Sequence, residues 1–489
     1  MDLKNLSFFP RATPKYGQPT EWTHPHIIRP GEVNHGISKE EFHIRRDKLV
    51  EQLLRLSLQR SARLSHKPDQ RHLLVLPSAK RQFMIDNIPY SYRQDTDFRY
   101  LTGCLQYDTV LVVEFTSESS KSILFCKEGT TYDEKWEGSR IGFREAVTFL
   151  GMDEAAPLSS LDSYIYDFIK MNSKVNLWYD FLEPRNQDVH NVMSQLSGER
   201  SSLGSMESPR PAIHQLRSVK SPAEVELMRT TCNVGAEALK KTIKASRQLN
   251  TEGELLATVE YHQKMGGACR AAYPAVVACG EAACSIHYIK ATQRLKKDEL
   301  VLMDAGCEFH GYTSDITRTW PVSGIFSPHQ LRMYEAVLDT QQKLIQAIEP
   351  GSTTIDGLYR KMLVFLGKNL LDIGLIGAEE EKHAGTRAAT FCPHHVSHHL
   401  GMDVHDTPSV SKTSPLLPGM VITVEPGCYV PDSMEKVDPA FHGLGVRLED
   451  DILITETGAE ILSSACPSSS KDIERLLGSS SWCERKTDA

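Results

Sequence analysis

The chain has 489 residues, 40% of them apolar and 24% charged, with a formal net charge of −8 and a pI near 6.2. That length allows two or three domains with real cores, and the mild acidity offers no basic footprint for nucleic acid. No apolar run of about 18 residues occurs, which argues against a helical membrane span. The 11 cysteines are odd in number and scattered without a C-x-x-C pair, so they read as thiols of a reducing or matrix-like compartment.

Residues 1–36 are rich in proline, histidine and glycine and read as an extended arm. Within it, Lys4, Arg11 and Lys15 oppose Asp2 and Glu21 around Phe8 and Phe9, the pattern of a short, arginine-poor transit-peptide stub. Residues 37–60 have helical periodicity. HLLVLPSAK (72–80), TVLVVEF (109–115) and SILFCKE (122–128) read as strands, the last two joined by SESSK. Helix and strand patterns then alternate to about residue 195, so 37–205 is expected to be a mixed α/β domain. Residues 196–218, rich in Ser, Gly and Pro, read as the connection between domains. A sharp helix start follows, with Ser221 as N-cap, Pro222 as first helical residue and Glu224 as capping-box partner. From 206 to 466, long helices mix with β-rich blocks at 299–322, 419–430 and 445–456, an α+β pattern. The segment 467–489 reads as a partly disordered tail.

Chemistry concentrates in those β-rich blocks. In ELVLMDAGCEFHGYTSDITRTW, a hairpin about Glu308–Gly311 sets Asp304 opposite Asp315, with β-carbons about 4.5–5.5 Å apart. Carboxylates held that close repel unless a cation intervenes, and a pair of metal ions about 3.5–4 Å apart removes the penalty. A solvated hairpin with the aspartates on different faces is the plainer alternative. Glu425 ends an apolar strand just before Pro-Gly; it is either a metal ligand or a strand-end residue facing water. Strand alternation puts Arg447, Glu449 and Asp451 on one face with Asp450 opposite, and a Glu449–Arg447 salt bridge is the bland reading. The stretch HHVSHHLGMDVHD holds His394, His395, His398, His399 and His405 but no glutamate, so it is not the H-E-x-x-H helix of a zinc protease. Two Asp, two Glu and at least one His suit Mn²⁺ or a similar dinuclear pair, whose bridging hydroxide points to hydrolysis.

The motifs IHY (286–288), DAGCEFHGYTSDITRTWPV, HHVSHHLGMDVHD, TVEPG (423–427) and GVRLEDD resemble those of the creatinase/aminopeptidase pita-bread fold. Together with GQPTEWTHPHIIRPGE and RQDTDFRYLTG in the first domain, the chain resembles the aminopeptidase P family, the Xaa-Pro aminopeptidases, in its mitochondrial-type branch. The resemblance implies an N-terminal creatinase-like α/β domain before a pita-bread catalytic domain. It implies Asp304, Asp315, His398, Glu425 and Glu449 as ligands of two Mn²⁺ ions. His287, His394 and His405 correspond to substrate-side histidines, Arg447 to an arginine that supports the ligands, and Glu425 to a proton shuttle. His395 and His399 match no family role. The implied reaction releases the N-terminal residue from peptides with proline second, by a homodimer or a tetramer. The implied location is mitochondrial, with the cytoplasm as the alternative because the targeting segment is weak.

The sequence departs from the family where HYIKATQ lacks the usual asparagine after His-Tyr, and at Cys279 and Cys428, where a glycine or aliphatic residue is common. A prolidase restricted to Xaa-Pro dipeptides is the near rival, but the route from Glu425 to Glu449 is compact here. Methionine aminopeptidase normally lacks a first domain of this size. A non-catalytic binding module predicts lost ligands, and all five are in place.

Overall fold

A computed structural model describes residues 15–64, 71–172, 174–196 and 203–478. The chain divides into two compact units, Met1–Leu216 and Arg217–Ala489.

In the first unit a six-stranded mixed sheet runs in the order Leu203–Glu207, Val175–Trp178, His72–Pro77, Thr109–Phe115, Ser120–Cys126, Glu154–Pro157. The central pairs are antiparallel and the flanking ones parallel, so helices must cross over to join them. The four inner strands are mostly apolar and buried, and Val75, Val112 and Phe125 pack with Ile165 of helix Leu161–Met171 and Met193 of helix Gln187–Leu196. The helix read at 37–60 runs Lys39–Leu64.

Three organisational readings change. Residues 15–36 are not a free arm: Gln18 Nε2 and Asn34 Nδ2 donate to Gly103 O at 3.1 and 2.8 Å, and Thr20, Ile28 and Val33 are buried. Residues 203–218 are not an open connection, because Leu203–Glu207 adds a parallel edge strand and Arg210–Ser218 is a helix. Of the expected tail, residues 470–478 form a helix, Ser470–Gly478, packed on helices Pro222–Ala245 and Pro328–Gln346. Its Ile473 and Leu477 enter the core, an amphipathic pattern too short to stand out in a serine-rich stretch. Residues 1–14 of the transit-peptide stub and the last eleven residues lie outside the described residues.

The second unit is α+β, and every ladder in it is antiparallel. Ser221 caps helix Pro222–Ala245 with the full capping box to Glu224. Helices Pro222–Ala245, Glu252–Met265, Pro328–Gln346 and Ile355–Asp372 share one core with strands Leu300–Asp304, Thr317–Pro321, Val421–Val424 and Asp450–Ile454. The polar ends of those strands carry the site.

Candidate metal centre

Strand Leu300–Asp304 lies between Val276–Cys279 and Thr317–Pro321, and its register sets Asp304 opposite Thr317. Asp304 therefore does not face Asp315, as the sequence reading had it. The turn is tighter than supposed: Phe309 pairs with Tyr312 around the two-residue loop His310–Gly311, whose φ angles of 47° and 92° suit a hairpin turn. Regular pairing lapses between Asp304 and Cys307 and again around Asp315, so Asp315 comes from an irregular stretch between two small sheets. A β-carbon on Gly306 would lie 1.9 Å from Ser314 O, so the two backbones approach there as only glycine permits. The carboxylates still converge, because Tyr273 Oη lies 2.5 Å from Asp304 Oδ1 and 2.5 Å from Asp315 Oδ1.

The histidine stretch runs beside strand Val421–Val424. Leu400 N donates to Val421 O, Thr423 N to His398 O and Glu425 N to Val396 O, at 2.9, 3.0 and 2.9 Å. That pairing carries His398 to the acids, with Nε2 3.3 Å from Asp315 Oδ2 and 3.6 Å from Glu425 Oε1.

VRLEDDILITE is two strands rather than one. Leu444–Arg447 pairs with Gly427–Val430, Asp450–Ile454 pairs with Val421–Val424, and the change of partner at Leu448–Glu449 turns Glu449 inward. Glu449 Oε2 accepts from Thr317 Oγ1 at 2.6 Å. Arg447 pairs with Asp304 Oδ2 at 2.7 Å rather than with Glu449, and also donates to Tyr429 Oη at 2.8 Å. Asp451 lies behind the site, accepting from Asp315 N at 3.2 Å, while Asp450 on the opposite face pairs with Arg318 at 2.7 Å.

Asp315, His398 and Glu449 each offer a ligand atom within 4.8 Å of the other two, and the contacts above extend the set to Asp304 and Glu425. Burial raises Asp304 and Glu449 and, against the pull of His398, pushes Glu425 up to about 7. Burial pulls His398 down, but its pairings with Asp315 and Glu425 win and raise it to about 9. Four carboxylates facing one guanidinium and the raised imidazole of His398 still leave a buried excess of acidic groups. Divalent cations would neutralise it, and the oxygen-rich donor set fits hard or borderline ions. The residues therefore fit a dinuclear metal site.

The centre lines a pocket of about 570 Å³. His394 lines it, with Nε2 2.8 Å from Tyr429 Oη and Nδ1 3.7 Å from Glu425 Oε2. Burial, reinforced by Arg447, takes His394 down to about 4. His405 is exposed to the pocket, its ring edge-on to His398 at 4.4 Å. His287 lines the same pocket from the loop after Cys284. His395 and His399 also border it, but His395 pairs with Asp356 at 3.4 Å and stacks on Tyr359, and His399 is 6% exposed within the sheet.

Residues 226–456 match the profile of metallopeptidase family M24, and residues 42–178 that of the aminopeptidase P N-terminal domain. Xaa-Pro aminopeptidase 3 of Homo sapiens is 38% identical over 95% of this chain and 91% of its own. The chain belongs to the M24 metallopeptidases, in their aminopeptidase P branch. It is a hydrolase of the Xaa-Pro aminopeptidase type, with an aminopeptidase P N-terminal domain followed in sequence by a pita-bread catalytic domain. The mitochondrial intermediate cleaving peptidase 55 of Arabidopsis thaliana is 39% identical over 94% of this chain and 87% of its own. Among solved structures, zinc-substituted Escherichia coli aminopeptidase P in complex with product superposes with a TM-score of 0.81. It is 31% identical over 91% of this chain and 99% of that one.

In this aminopeptidase P chain, sequence reasoning missed three hydroxyls at the centre. Tyr273 joins the two aspartates, Thr317 joins Glu449 to Arg447 (Nε to Oγ1, 3.2 Å), and Tyr429 joins Arg447 to His394. Thr317 carried a usable signal, two residues after Asp315 and so on its face by the alternation expected from the sequence. Tyr273 and Tyr429 carried none beyond lying near strands, because an ordinary core tyrosine reads the same way.

Proposed function

We propose that this aminopeptidase P removes the N-terminal residue from peptides whose second residue is proline, with Asp304, Asp315, His398, Glu425 and Glu449 holding two Mn²⁺ ions. The observation that carries this reading is the convergence of those five side chains on a pocket that His287, His394 and His405 also line. A bound metal pair supplies a water-derived nucleophile at neutral pH and a Lewis acid for the scissile carbonyl.

The rest is the work of the chain's own groups. Glu425 turns Oε1 toward His398 and Oε2 toward His394, which suits a carboxylate that is both ligand and proton carrier. It takes the nucleophile's proton and delivers it toward the departing proline nitrogen. His394, oriented by Tyr429, and His405 stand where the carbonyl oxygen gains charge, and His287 closes the leaving-group side. Arg447 holds Asp304 and, through Thr317, Glu449. The buried acids also give the free N-terminal amine a partner, which restricts cleavage to the first bond. A Xaa-Pro bond has no N–H and a φ fixed near −65°. Ile286, Ile289, Val404 and Pro408 on the pocket wall suit such a ring.

The Arabidopsis thaliana relative named as mitochondrial supports a mitochondrial location, and the family resemblance supports a homodimer. The test is turnover of a tripeptide Xaa-Pro-Yaa beside the dipeptide Xaa-Pro, with Mn²⁺ and with a chelator. Tripeptide cleavage abolished by the chelator is the expected result. Cleavage of the dipeptide alone points to a prolidase, and activity that survives the chelator removes the metal mechanism.

A further inference from the structure

A second charged cluster lies directly behind His405. The Asp406 side chain is 1% exposed, and Arg217 Nη2 donates to its Oδ1 at 2.5 Å while Lys220 Nζ donates to its Oδ2 at 3.2 Å. Both cations are as deeply buried as the carboxylate they share. Arg217 Nη2 also reaches Asp403 Oδ2 at 3.0 Å, and Asp403 N donates to Asp406 Oδ1 at 3.3 Å. Asp406 N returns to His399 O at 2.9 Å, and Gly401 N to Asp403 O at 3.1 Å. Residues 399–406 thus fold into a closed turn around their own carboxylate.

Gly401 makes room for it. A β-carbon there would meet Asp406 Oδ2 at 2.4 Å and Lys220 Cε at 3.0 Å. Its carbonyl is held in turn by the backbone and hydroxyl of Thr313, at 2.8 and 2.9 Å. Thr407, next in the chain, sits at φ 48°, an unfavoured conformation that a tightly determined neighbourhood can hold. His405 is the exposed residue between these anchors, and its ring reaches the pocket edge-on to His398. Burying three charged groups is costly for stability alone, so their arrangement around one loop points to a geometric task.

We propose that Asp406, clamped by Arg217 and Lys220, is the positioning residue that fixes His405 at the pocket wall. The proposal rests on the reading of His405 as a substrate-side histidine. A loop free to shift by about an ångström would misplace that ring, and such misplacement costs on the order of a hundredfold in rate.

The test is a double-mutant cycle on the metal-loaded, full-length enzyme. It uses His405→Ala, Asp406→Asn and the pair, read as kcat/KM on Ala-Pro-Leu and as the affinity for the dipeptide Pro-Leu by calorimetry. Each single variant is expected to lose about tenfold or more, and the pair to match His405→Ala within about twofold. Metal content is expected to stay at the wild-type level. If Asp406→Asn costs the same factor in the His405→Ala background, or releases metal, its role is structural and the proposal falls. If His405→Ala costs nothing, the reading of His405 fails first, and the clamp with it. Should Asp406→Asn not fold, Lys220→Met and Lys220→Arg replace it in the same cycle. Met is expected to show the loss only when His405 is present, and Arg to restore activity; equal loss from both overturns the proposal.

Discussion

Tyr273 is the residue whose importance the sequence hid most fully. One phenol oxygen within 2.5 Å of two buried carboxylates fixes the orientation of both, whether or not cations lie between them. Tyr273→Phe should keep the fold and cost about 10–100-fold in metal affinity or activity, as loss of a ligand's supporting partner does. Wild-type metal affinity and turnover in that variant would count against the role. The histidines separate in the same way. Asp315→Asn should abolish turnover, whereas His399→Ala should keep turnover per folded, metal-loaded molecule and lose about 1–3 kcal/mol of stability, because the ring is buried in the sheet. Equal loss of turnover from both would mean that the wrong histidine has been chosen as ligand.

Among the elements, the paired strands 300–322 show what a sequence can and cannot say. Their apolar pattern announces strands, and their acids announce the site, yet the register came out two residues from the expected one. The deciding feature is local: His310 and Gly311 both take positive φ, which makes a two-residue loop where EFHG had suggested a longer turn. The lapse of pairing at Gly306 depends on a backbone approach that no hydrophobic pattern records. Gly306→Ala should therefore force apart the stretches bearing Asp304 and Asp315. Calorimetric titration with Mn²⁺ is expected to show weakened binding, and unchanged binding would refute this account of the break. The same limit explains VRLEDDILITE, where alternation placed the side chains on the correct faces but could not show the chain changing partners at Glu449. It explains Ser470–Gly478 too, whose two core apolar residues, Ile473 and Leu477, are sparse beside its charged residues and the serines that precede it.

For the molecule as a whole, the two units have separate stability determinants. In the first unit His72 is 2% exposed, stacked on Phe115 at 4.7 Å and accepting from Trp178 Nε1 at 3.2 Å, and burial takes it down to about 4. Its unfolded form binds a proton below about pH 6.5, whereas the folded form resists until about pH 4, so the unfolded state gains protons in that window. Stability from this group is complete above pH 6.5 and is lost as pH falls toward 4, up to roughly 3 kcal/mol. Thermal unfolding of the full-length protein should show wild type losing its advantage over His72→Gln across that range, and a constant difference would contradict the assignment. In the second unit, the unbalanced acids make metal binding and stability one quantity, since ions held only by the folded site raise its unfolding temperature. Isothermal titration of metal-free protein with Mn²⁺ tests the central claim most directly. The account predicts two ions per chain for the wild type and disruption of both sites in Asp315→Asn. A wild-type chain that takes up no ion, or an Asp315→Asn variant that binds as the wild type does, would contradict it.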